Sequence, residues 1–449
     1  MDVHEKLRKL KSVDDQADLL WLLYIAGDTK DRTETDEIID ILLHEKIDQD
    51  FSKQILLDPE PEELCRGEYY LGEVIYPDRA FARFGLREDE WLKHVLITGM
   101  SGVGKTNLSF QILKELKRHG KPFMVFDWKR NYRDLLQLPE FKGLKVYTAG
   151  SRLSPLFFNP LIPPENIEPG VWLARLADTI CHAYFGGEGV NYLLRHAMET
   201  VYERRGVFDG SGSYPTFAEI KTYVSSMQLA GRMSLWKAST MRALESMTYK
   251  YGLGISFETD QMVDIGKILE QDVIIEMDSV SDSDKVFFTE ALILWIYEYR
   301  KNEPKREIFK HAILIEEAHH LLSTQKENLD GGETIIETSL RQIREFGEAV
   351  IAIDQEPGKL SDSIKANTYC KATFNLGNGK DILDISACMM LEIEEMKYID
   401  LLEVGHAIVK LKGRAYRPML VKVPYIPIKK GKITDGVLKK ILQGIPLRV

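Results

Sequence analysis

The stretch Gly99-Met-Ser-Gly-Val-Gly-Lys105-Thr106 has the clearest chemical meaning in this sequence of 449 residues. It matches the phosphate-binding pattern G-x-x-x-x-G-K-[ST] at every position. Glycines let the backbone turn so that several N–H groups converge on phosphate oxygens. A helix that starts here adds partial positive charge. The pattern predicts that the Lys105 ammonium reaches the β- and γ-phosphates and that the Thr106 hydroxyl binds Mg²⁺.

The flanking sequence predicts the strand and helix that this loop needs. Residues 94–98 form a short apolar run, and residues 107–117 place Leu108, Ile112 and Leu116 on one helical face. We therefore predict that the loop and the first helical turn bind ATP with Mg²⁺. The predicted nucleotide contacts are Gly99, Met100, Ser101, Gly102, Val103, Gly104, Lys105, Thr106 and Asn107.

A second apolar run, residues 312–315, ends in two adjacent acids, Glu316 and Glu317. Enzymes with this phosphate-binding loop need a carboxylate for Mg²⁺, and many need a base for the attacking water. We predict that Glu316 serves the metal and that Glu317 polarises the water. The alternative is that both acids simply begin the next helix, where its dipole favours negative charge. No second ligand cluster accompanies His319 and His320, so we predict a helix-face role for them.

Two arginines and a glutamine complete the candidate catalytic set. Arg341 and Arg344 lie near a predicted helix end, and the following buried strand ends at Asp354-Gln355. An arginine can neutralise charge that develops on the γ-phosphate, within one subunit or across a subunit boundary. We predict that Arg344 or Arg341 is such an arginine finger and that Gln355 senses the nucleotide. A solvated helix face is the alternative for either arginine.

The segment 128–133 alternates cations with aromatic rings after another predicted strand. Its cations Lys129, Arg130 and Arg133 are the candidate DNA contacts. Surface decoration or subunit packing is the alternative. The net charge of the chain is −10, whereas a protein that coats nucleic acid is usually basic. Any DNA contact is therefore expected to be local.

The composition is ordinary for a soluble globular protein. The longest apolar stretches, such as Leu19–Ala26, are too short to span a bilayer, and the charged start lacks a signal-peptide core. The four cysteines show no CxxC spacing, so we expect neither disulfides nor a zinc site. A reduced cytoplasmic location and no membrane partner are expected.

Alternating strands and helices predict a largely parallel sheet. We expect a helical N-terminal region over residues 1–62, with a loop at 27–33, as a candidate partner-docking surface. A short β segment over 63–90, the ATPase body over 91–435 and a tail over 436–449 would follow. Within the body, residues 153–265 are expected to form a helical insertion.

The ordered set of motifs resembles the HerA/FtsK superfamily, and more closely the HerA-like, DUF87-type P-loop ATPases, over roughly residues 66–435. The segments that carry the resemblance are His94-Val-Leu-Ile-Thr-Gly-Met-Ser-Gly-Val-Gly-Lys-Thr106, Phe126-Asp-Trp-Lys-Arg130, Ile315-Glu-Glu-Ala-His319, Arg344-Glu-Phe-Gly347, Ala352-Ile-Asp-Gln355, Phe374-Asn-Leu-Gly377, Ile408-Val-Lys-Leu-Lys-Gly-Arg414 and Pro427-Ile-Lys-Lys-Gly-Lys432.

The resemblance implies a RecA-like (ASCE) core, a ring that is usually a hexamer, and ATP sites between subunits that an arginine completes in trans. It also implies translocation of double-stranded DNA with a NurA-like nuclease, or action with a Sir2-like or other effector in antiviral defence. The sequence departs from the family in three respects. Glu316 replaces the usual Asp, a helical start takes the place of the β-barrel, and the segment 323–334 is not basic.

The leading expectation is an ATP-driven DNA translocase or helicase motor. The alternative is a nucleotide-regulated scaffold that organises and activates an effector with little translocation of its own. The acidic charge and Glu316 favour this alternative. A membrane-tethered conjugation motor is a third interpretation, which the lack of a spanning segment weakens.

Overall fold

Most apolar runs of the sequence become strands of one sheet. The computed structural model describes residues 3–11, 17–46, 54–259, 262–323 and 334–444. Among these residues, one sheet of eleven strands has the order β2-β1-β11-β10-β9-β3-β8-β7-β4-β6-β5. The strands are β1 (Tyr69–Ile75), β2 (Ala80–Leu86), β3 (Val95–Thr98), β4 (Phe123–Asp127), β5 (Lys145–Thr148), β6 (Val273–Glu276), β7 (His311–Glu316), β8 (Glu348–Asp354), β9 (Cys370–Thr373), β10 (His406–Leu411) and β11 (Met419–Lys422).

The sheet is parallel from β9 to β5, which confirms the predicted α/β fold with a mainly parallel sheet. The remaining pairs, which involve β1, β2, β10 and β11, are antiparallel. We call the edge where the parallel strands end the carboxyl edge, and the opposite one the amino edge. Crevices at the carboxyl edge are where open α/β sheets bind ligands.

Helices cover both faces of the sheet. The α-helices are α1 (Val3–Lys11), α2 (Ala17–Ala26), α3 (Thr29–Lys46), α4 (Glu62–Cys65), α5 (Lys105–Arg118), α6 (Pro169–Tyr184), α7 (Glu188–Arg204), α8 (Phe217–Ser226), α9 (Arg232–Met247), α10 (Gly254–Phe257), α11 (Ile265–Ile268), α12 (Asp282–Lys301), α13 (Ile335–Gln342), α14 (Asp362–Asn367), α15 (Gly379–Met389), α16 (Ile393–Met396), α17 (Tyr398–Leu401) and α18 (Asp435–Leu442). Short 3₁₀ turns lie at Glu88–Lys93, Arg133–Gln137, Pro139–Phe141, Ala318–His320, Ile343–Phe346 and Pro357–Lys359.

Two apolar clusters sandwich the sheet. One contains the inner face of α5, with Leu108 and Ile112, and the other contains α12 and the helices α6 to α11. Alternate strand residues enter opposite clusters, as Leu96 and Ile97 of β3 do, because strand side chains point alternately to the two faces. Helices α6 to α11 lie between β5 and β6 in the chain.

The expected organisation of the first ninety residues differs from the structure in two ways. Strands β1 and β2 do not form a separate β segment, since β1 pairs with β11 and so extends the main sheet. The loop expected at 27–33 is short, because α3 already begins at Thr29. Helices α1 to α3 share a small apolar cluster of their own that includes Leu10 and Ile39.

A buried ion cluster joins α12, β7 and β8. The carboxylate of Glu348 accepts a hydrogen bond from Arg300 Nε at 2.6 Å and lies 2.6 Å from His311 Nδ1. All three side chains are buried. Burial alone would raise the pKa of Glu348, but His311 and Arg300 outweigh it and lower the pKa from 4.5 to about 2.

We expect Glu348→Gln to lower the unfolding free energy by about 3–5 kcal/mol at neutral pH, because it removes the fully buried counter-ion of Arg300 and leaves only the less buried Glu303. A depressed carboxylate pKa stabilises the fold above the unfolded value, here 4.5, and this gain is lost as the pH falls towards 2. The difference in urea midpoint between wild type and variant should therefore shrink from pH 6 to pH 3.5. Glu303→Gln, which removes a less buried partner of Arg300, is the control. A difference that stays constant with pH would contradict this account.

Candidate nucleotide-binding site

The predicted phosphate loop runs from the end of β3 to the start of α5. Gly102 and Gly104 have φ of 85° and 122°, values that favour glycine. A Cβ at Gly104 would come within 3.2 Å of the Gly405 backbone. The N–H groups in the first turn of α5 have no partner within the helix. They point towards the space that the loop encloses. The loop therefore has the open, N–H-lined shape that phosphate oxygens fit.

Lys105 lies at the base of this loop. It is buried, and its Nζ donates to the carbonyl oxygens of Gly99 at 2.5 Å and Met100 at 2.7 Å. Burial lowers the pKa of its ammonium to about 8, while the nearby Glu317 carboxylate acts in the opposite direction. The ammonium is thus oriented by the loop that it would serve.

A cavity of about 700 Å³ opens beside the loop. Six of the nine predicted nucleotide contacts line it, namely Ser101, Gly102, Gly104, Lys105, Thr106 and Asn107. The other three are not among its lining residues, and their contact with nucleotide stays a prediction. Gly99 packs against Phe374, the Met100 N–H donates to Asn375 O at 2.8 Å, and the Val103 side chain is buried. These residues hold the shape of the loop because its ends must be anchored to β9 and the core.

Three buried carboxylates face the loop from the carboxyl edge. Asp354, Glu316 and Asp127 end the neighbouring strands β8, β7 and β4. Asp127 accepts three backbone N–H groups, including Asn131 N at 3.0 Å. Asp354 accepts both the N–H and Nδ1 of His319, at 2.7 and 2.9 Å. His319 is therefore a partner of this edge, which the sequence-based helix-face role did not anticipate.

Glu316 is the least satisfied of these groups. Its Oε2 is buried without a hydrogen-bond partner, and Oε1 lies 3.5 Å from Asn131 Nδ2. Burial, followed by the Asp127 carboxylate, raises its pKa to about 8. A divalent cation would relieve both the missing partner and the repulsion. Glu316 and Thr106 both line the cavity, so these residues fit a Mg²⁺ that also binds nucleotide phosphates. Among the described residues, no larger cluster could hold a metal unaided.

Glu317 follows with the left-handed backbone angles φ 49°, ψ 48°, which are uncommon outside glycine. Its carboxylate accepts hydrogen bonds from both Lys129 Nζ and Gln355 Nε2. All three residues line the cavity with Lys105. The structure thus brings Glu317 and Gln355 together, and their predicted roles at the γ-phosphate stay predictions.

The sequence of this chain matches the model of a known protein family. The family model described as the central domain of helicase HerA matches residues 69–294, which is half of the chain. The chain belongs to the HerA central-domain family. The match ends before Glu316. The family model therefore says nothing of Glu316, Glu317, Gln355 or the two arginines, and their placement comes from the structure alone.

Solved structures show the same fold as this HerA-family chain. VirB4 of Thermoanaerobacter pseudethanolicus aligns with a TM-score of 0.62 at 16% identity, over 80% of this chain and 97% of VirB4. The plasmid coupling protein TrwB, in complex with ADP and Mg²⁺, aligns with a TM-score of 0.59 at 12% identity, over 86% and 99% of the two chains. These likenesses confirm the RecA-like P-loop ATPase fold. No curated protein matches the sequence.

The three candidate DNA contacts in the segment 128–133 all pair with carboxylates of the chain itself. Arg133 is 2% exposed, and its guanidinium binds the carboxylates of Glu276 and Asp435. Arg130 pairs with Asp278 at 3.0 Å and with Asp435 at 3.3 Å. Lys129 is held by Glu317 inside the cavity. The prediction was wrong for Arg133, because β6 lies beside β4 and places Glu276 next to it.

The two candidate finger arginines lie far from the cavity of their own subunit. Arg341 ends α13, and Arg344 is in the 3₁₀ turn that precedes β8 at the amino edge. Both are exposed. The seven residues of β8 separate Arg344 from Asp354 by about 20 Å, at roughly 3.3 Å per residue. Of the alternatives left by the sequence, action within one subunit is therefore excluded for Arg344 in this conformation.

The C-terminal chain supplies a wall of the cavity that sequence reasoning missed. Lys422, Tyr425 and Lys430 are among its lining residues. The Asn107 amide holds this segment by donating to Pro424 O at 2.8 Å and accepting from Ile426 N at 2.9 Å. No local signal at Asn107 could reveal partners more than 300 residues away. Residues 324–333, which make up most of the non-basic segment 323–334, lie outside the described residues.

Among the described residues, no helix is both long and apolar enough to cross a membrane.

Proposed function

We propose that this chain is an ATP-driven translocase of double-stranded DNA that acts as a hexameric ring in the cytoplasm. Membership of the HerA central-domain family supports this, as does the cavity that joins the phosphate loop to the carboxyl edge. The observation that carries the proposal is the hydrogen-bonded set of Lys129, Glu317 and Gln355 facing Lys105. A simple nucleotide-binding module needs no such set.

Each residue has a proposed role in hydrolysis. Ser101 to Asn107 bind the nucleotide, with Lys105 on the phosphates and with Thr106 and Glu316 on Mg²⁺, which would neutralise phosphate charge when bound. Glu317 orients and deprotonates the attacking water. Its strained backbone and two donors fix the carboxylate, so that no reorientation is needed at the moment of reaction. Gln355 reports the state of the γ-phosphate through its bond to Glu317.

The proposed motor works with a partner, either a NurA-like nuclease in DNA end processing or a Sir2-like or other effector in antiviral defence. The expected cooperation rests on the resemblance of the chain to HerA-like motors. Since the chain carries a net charge of −10, its affinity for DNA should come from a few local cations and should fall steeply as the salt concentration rises.

Duplex DNA should stimulate ATP hydrolysis by the full-length protein at low salt. Glu317→Gln should retain ATP binding but slow hydrolysis by about 10²–10⁴-fold, the usual contribution of a positioned base. Hydrolysis is measured as phosphate release, and binding with a fluorescent ATP analogue. Glu356→Gln, two residues from Asp354 and paired with Lys359, should hydrolyse normally. Unstimulated hydrolysis with blunt, 5′-overhang and 3′-overhang duplexes would refute the motor, and normal turnover in Glu317→Gln would refute the base.

We propose that Arg344 completes the site of a neighbouring subunit. Its amino-edge position and exposure, together with the absence of an ion-pair partner among the described residues, support this. Arg344→Ala and Lys105→Ala should each be inactive alone. Mixing them should restore part of the activity, since some interfaces then join an intact loop to an intact arginine. Arg341→Ala is the comparison variant, and recovery there but not with Arg344→Ala would reassign the finger.

An alternative function, a scaffold that organises an effector, has one observation in its favour. Helix α2 is apolar around its whole circumference, yet Leu19, Leu22 and Leu23 are all more than half exposed. An apolar helix is normally buried, and exposed apolar patches mark interaction sites. We propose residues 1–62 as the surface on which the effector docks.

Leu22→Glu/Leu23→Glu should abolish binding of the proposed effector, while ATP binding and the oligomeric state remain. Size-exclusion chromatography with light scattering measures both complexes. Lys30→Glu, at a polar exposed position on α3, should leave binding intact. An effector that still binds after deletion of residues 1–62 would rule out this docking surface.

A further inference from the structure

A second groove, of about 620 Å³, lies at the amino edge of the sheet. It opens where β9 begins and β10 ends, and α14 and the end of α15 form its walls. It shares no lining residue with the nucleotide cavity. This groove is therefore a separate feature of the molecule, and the proposed ATPase chemistry does not use it.

The floor of the groove carries three lysines on one face. Lys371 of β9 and Lys410 of β10 are directly opposite in the antiparallel ladder, and Lys412 follows two residues later. Like charges at directly opposite positions destabilise a sheet. Lys371 is also 5% exposed, and lysine is almost never so buried without a partner. The fold tolerates here an arrangement that it would ordinarily avoid.

No carboxylate compensates these three ammonium groups within ion-pair distance among the described residues. Lys371 Nζ donates to Thr368 O at 2.7 Å, Lys410 Nζ donates to Tyr416 O, and Lys412 Nζ lies 3.4 Å from Ala366 O. Carbonyl oxygens satisfy part of their hydrogen-bonding capacity but carry no net charge.

The acids that line the groove already have a partner. Asp362 and Asp384 both pair with Lys365, at 3.0 and 2.8 Å. Glu60 and Glu395 act on Lys410 only from beyond ion-pair distance. The lining side chains thus carry an excess of positive charge in a chain whose overall charge is −10.

We propose that this groove is a second anion site, which binds a phosphate group carried by a nucleic-acid backbone or by a free nucleotide. Ammonium groups bind phosphate as point charges, and several that line one partly desolvated groove bind it more strongly than surface lysines do. Tyr416 and Met390 line the same groove and are 84% and 82% exposed. Such side chains provide surface for a base attached to the phosphate.

Equilibrium dialysis of radiolabelled pyrophosphate tests the site on full-length Lys105→Ala protein, which lacks the P-loop ammonium. This background separates the groove from the proposed ATP site, so the failure of one leaves the other intact. Lys410→Gln/Lys412→Gln should weaken pyrophosphate binding at least about tenfold, because charge-assisted hydrogen bonds are lost. Lys305→Gln/Lys439→Gln, which removes two exposed lysines elsewhere, should bind as its parent does.

The reactivity of a cysteine in the groove shows whether pyrophosphate binds there, independently of the dialysis measurement. Cys388 is a free, half-buried thiol in the groove, whereas Cys65, Cys181 and Cys370 are buried. Pyrophosphate should slow alkylation of Cys388 by iodoacetamide in the Lys105→Ala protein, but not in Lys371→Met or Lys410→Gln/Lys412→Gln on the same background. Mass spectrometry of the four cysteine peptides measures this.

Competition identifies the source of the phosphate. Displacement of pyrophosphate by a 20-nucleotide single strand or a 20-base-pair duplex indicates a nucleic-acid backbone, and displacement by ATP alone indicates a free nucleotide. Binding equal in the groove and control variants, or Cys388 reactivity that pyrophosphate does not change, would overturn the proposal.

Discussion

Four carboxylates end four neighbouring strands, and the rest of the site depends on how the fold accommodates them. Asp354, Glu316, Asp127 and Glu276 follow one another along β8, β7, β4 and β6 at the carboxyl edge. Burying several carboxylates side by side costs free energy unless each has a hydrogen-bond or ion-pair partner. The fold provides a different solution at each position, and that difference separates structural acids from chemical ones.

Glu276 is neutralised by Arg133, whereas Asp127 and Asp354 are satisfied by N–H donors. Burial raises the pKa of Asp127 even so, and backbone donors only oppose this shift. Glu316 alone keeps a buried oxygen without a partner. Glu316 lines the cavity together with Thr106, so this least satisfied acid is the one placed to bind a divalent cation. The extra methylene relative to Asp lengthens the reach of this carboxylate from the strand end.

Prediction from the sequence succeeded where the signal was local. The loop from Gly99 to Thr106 and the strand that ends at Glu316 are contiguous patterns, and hydrophobic periodicity identifies their flanking elements. Prediction was wrong where strand order decides the neighbours. Arg133 follows β4 and was expected to contact DNA, but β6 is the adjacent strand and brings Glu276 against it.

Strand order also explains why the sequence did not reveal the cavity wall formed by the C-terminal segment. The segment near Tyr425 reaches the cavity only because β10 and β11 turn back antiparallel beside β9, a connection that no motif encodes. The edge pair β1 and β2 was likewise assigned to a separate unit, although pairing with β11 makes it part of the main sheet. Each of these misses concerns contacts between segments that are distant in sequence.

Strand β9 links the two edges of the molecule. Past its carboxyl end, Asn375 O accepts a hydrogen bond from the Met100 N–H and so anchors the phosphate loop. Near its amino end, Lys371 lines the second groove, at the amino edge of the sheet. Thr373, on the same face, is bonded to Thr98 Oγ1 at 2.9 Å, immediately before the loop. Four residues of strand span only about 13 Å. Since the interior around β9 is close-packed and has low compressibility, the groove and the anchor of the phosphate loop are joined by one short, well-packed strand. Any coupling between the two sites along this strand would act in both directions, as reciprocity between coupled sites requires.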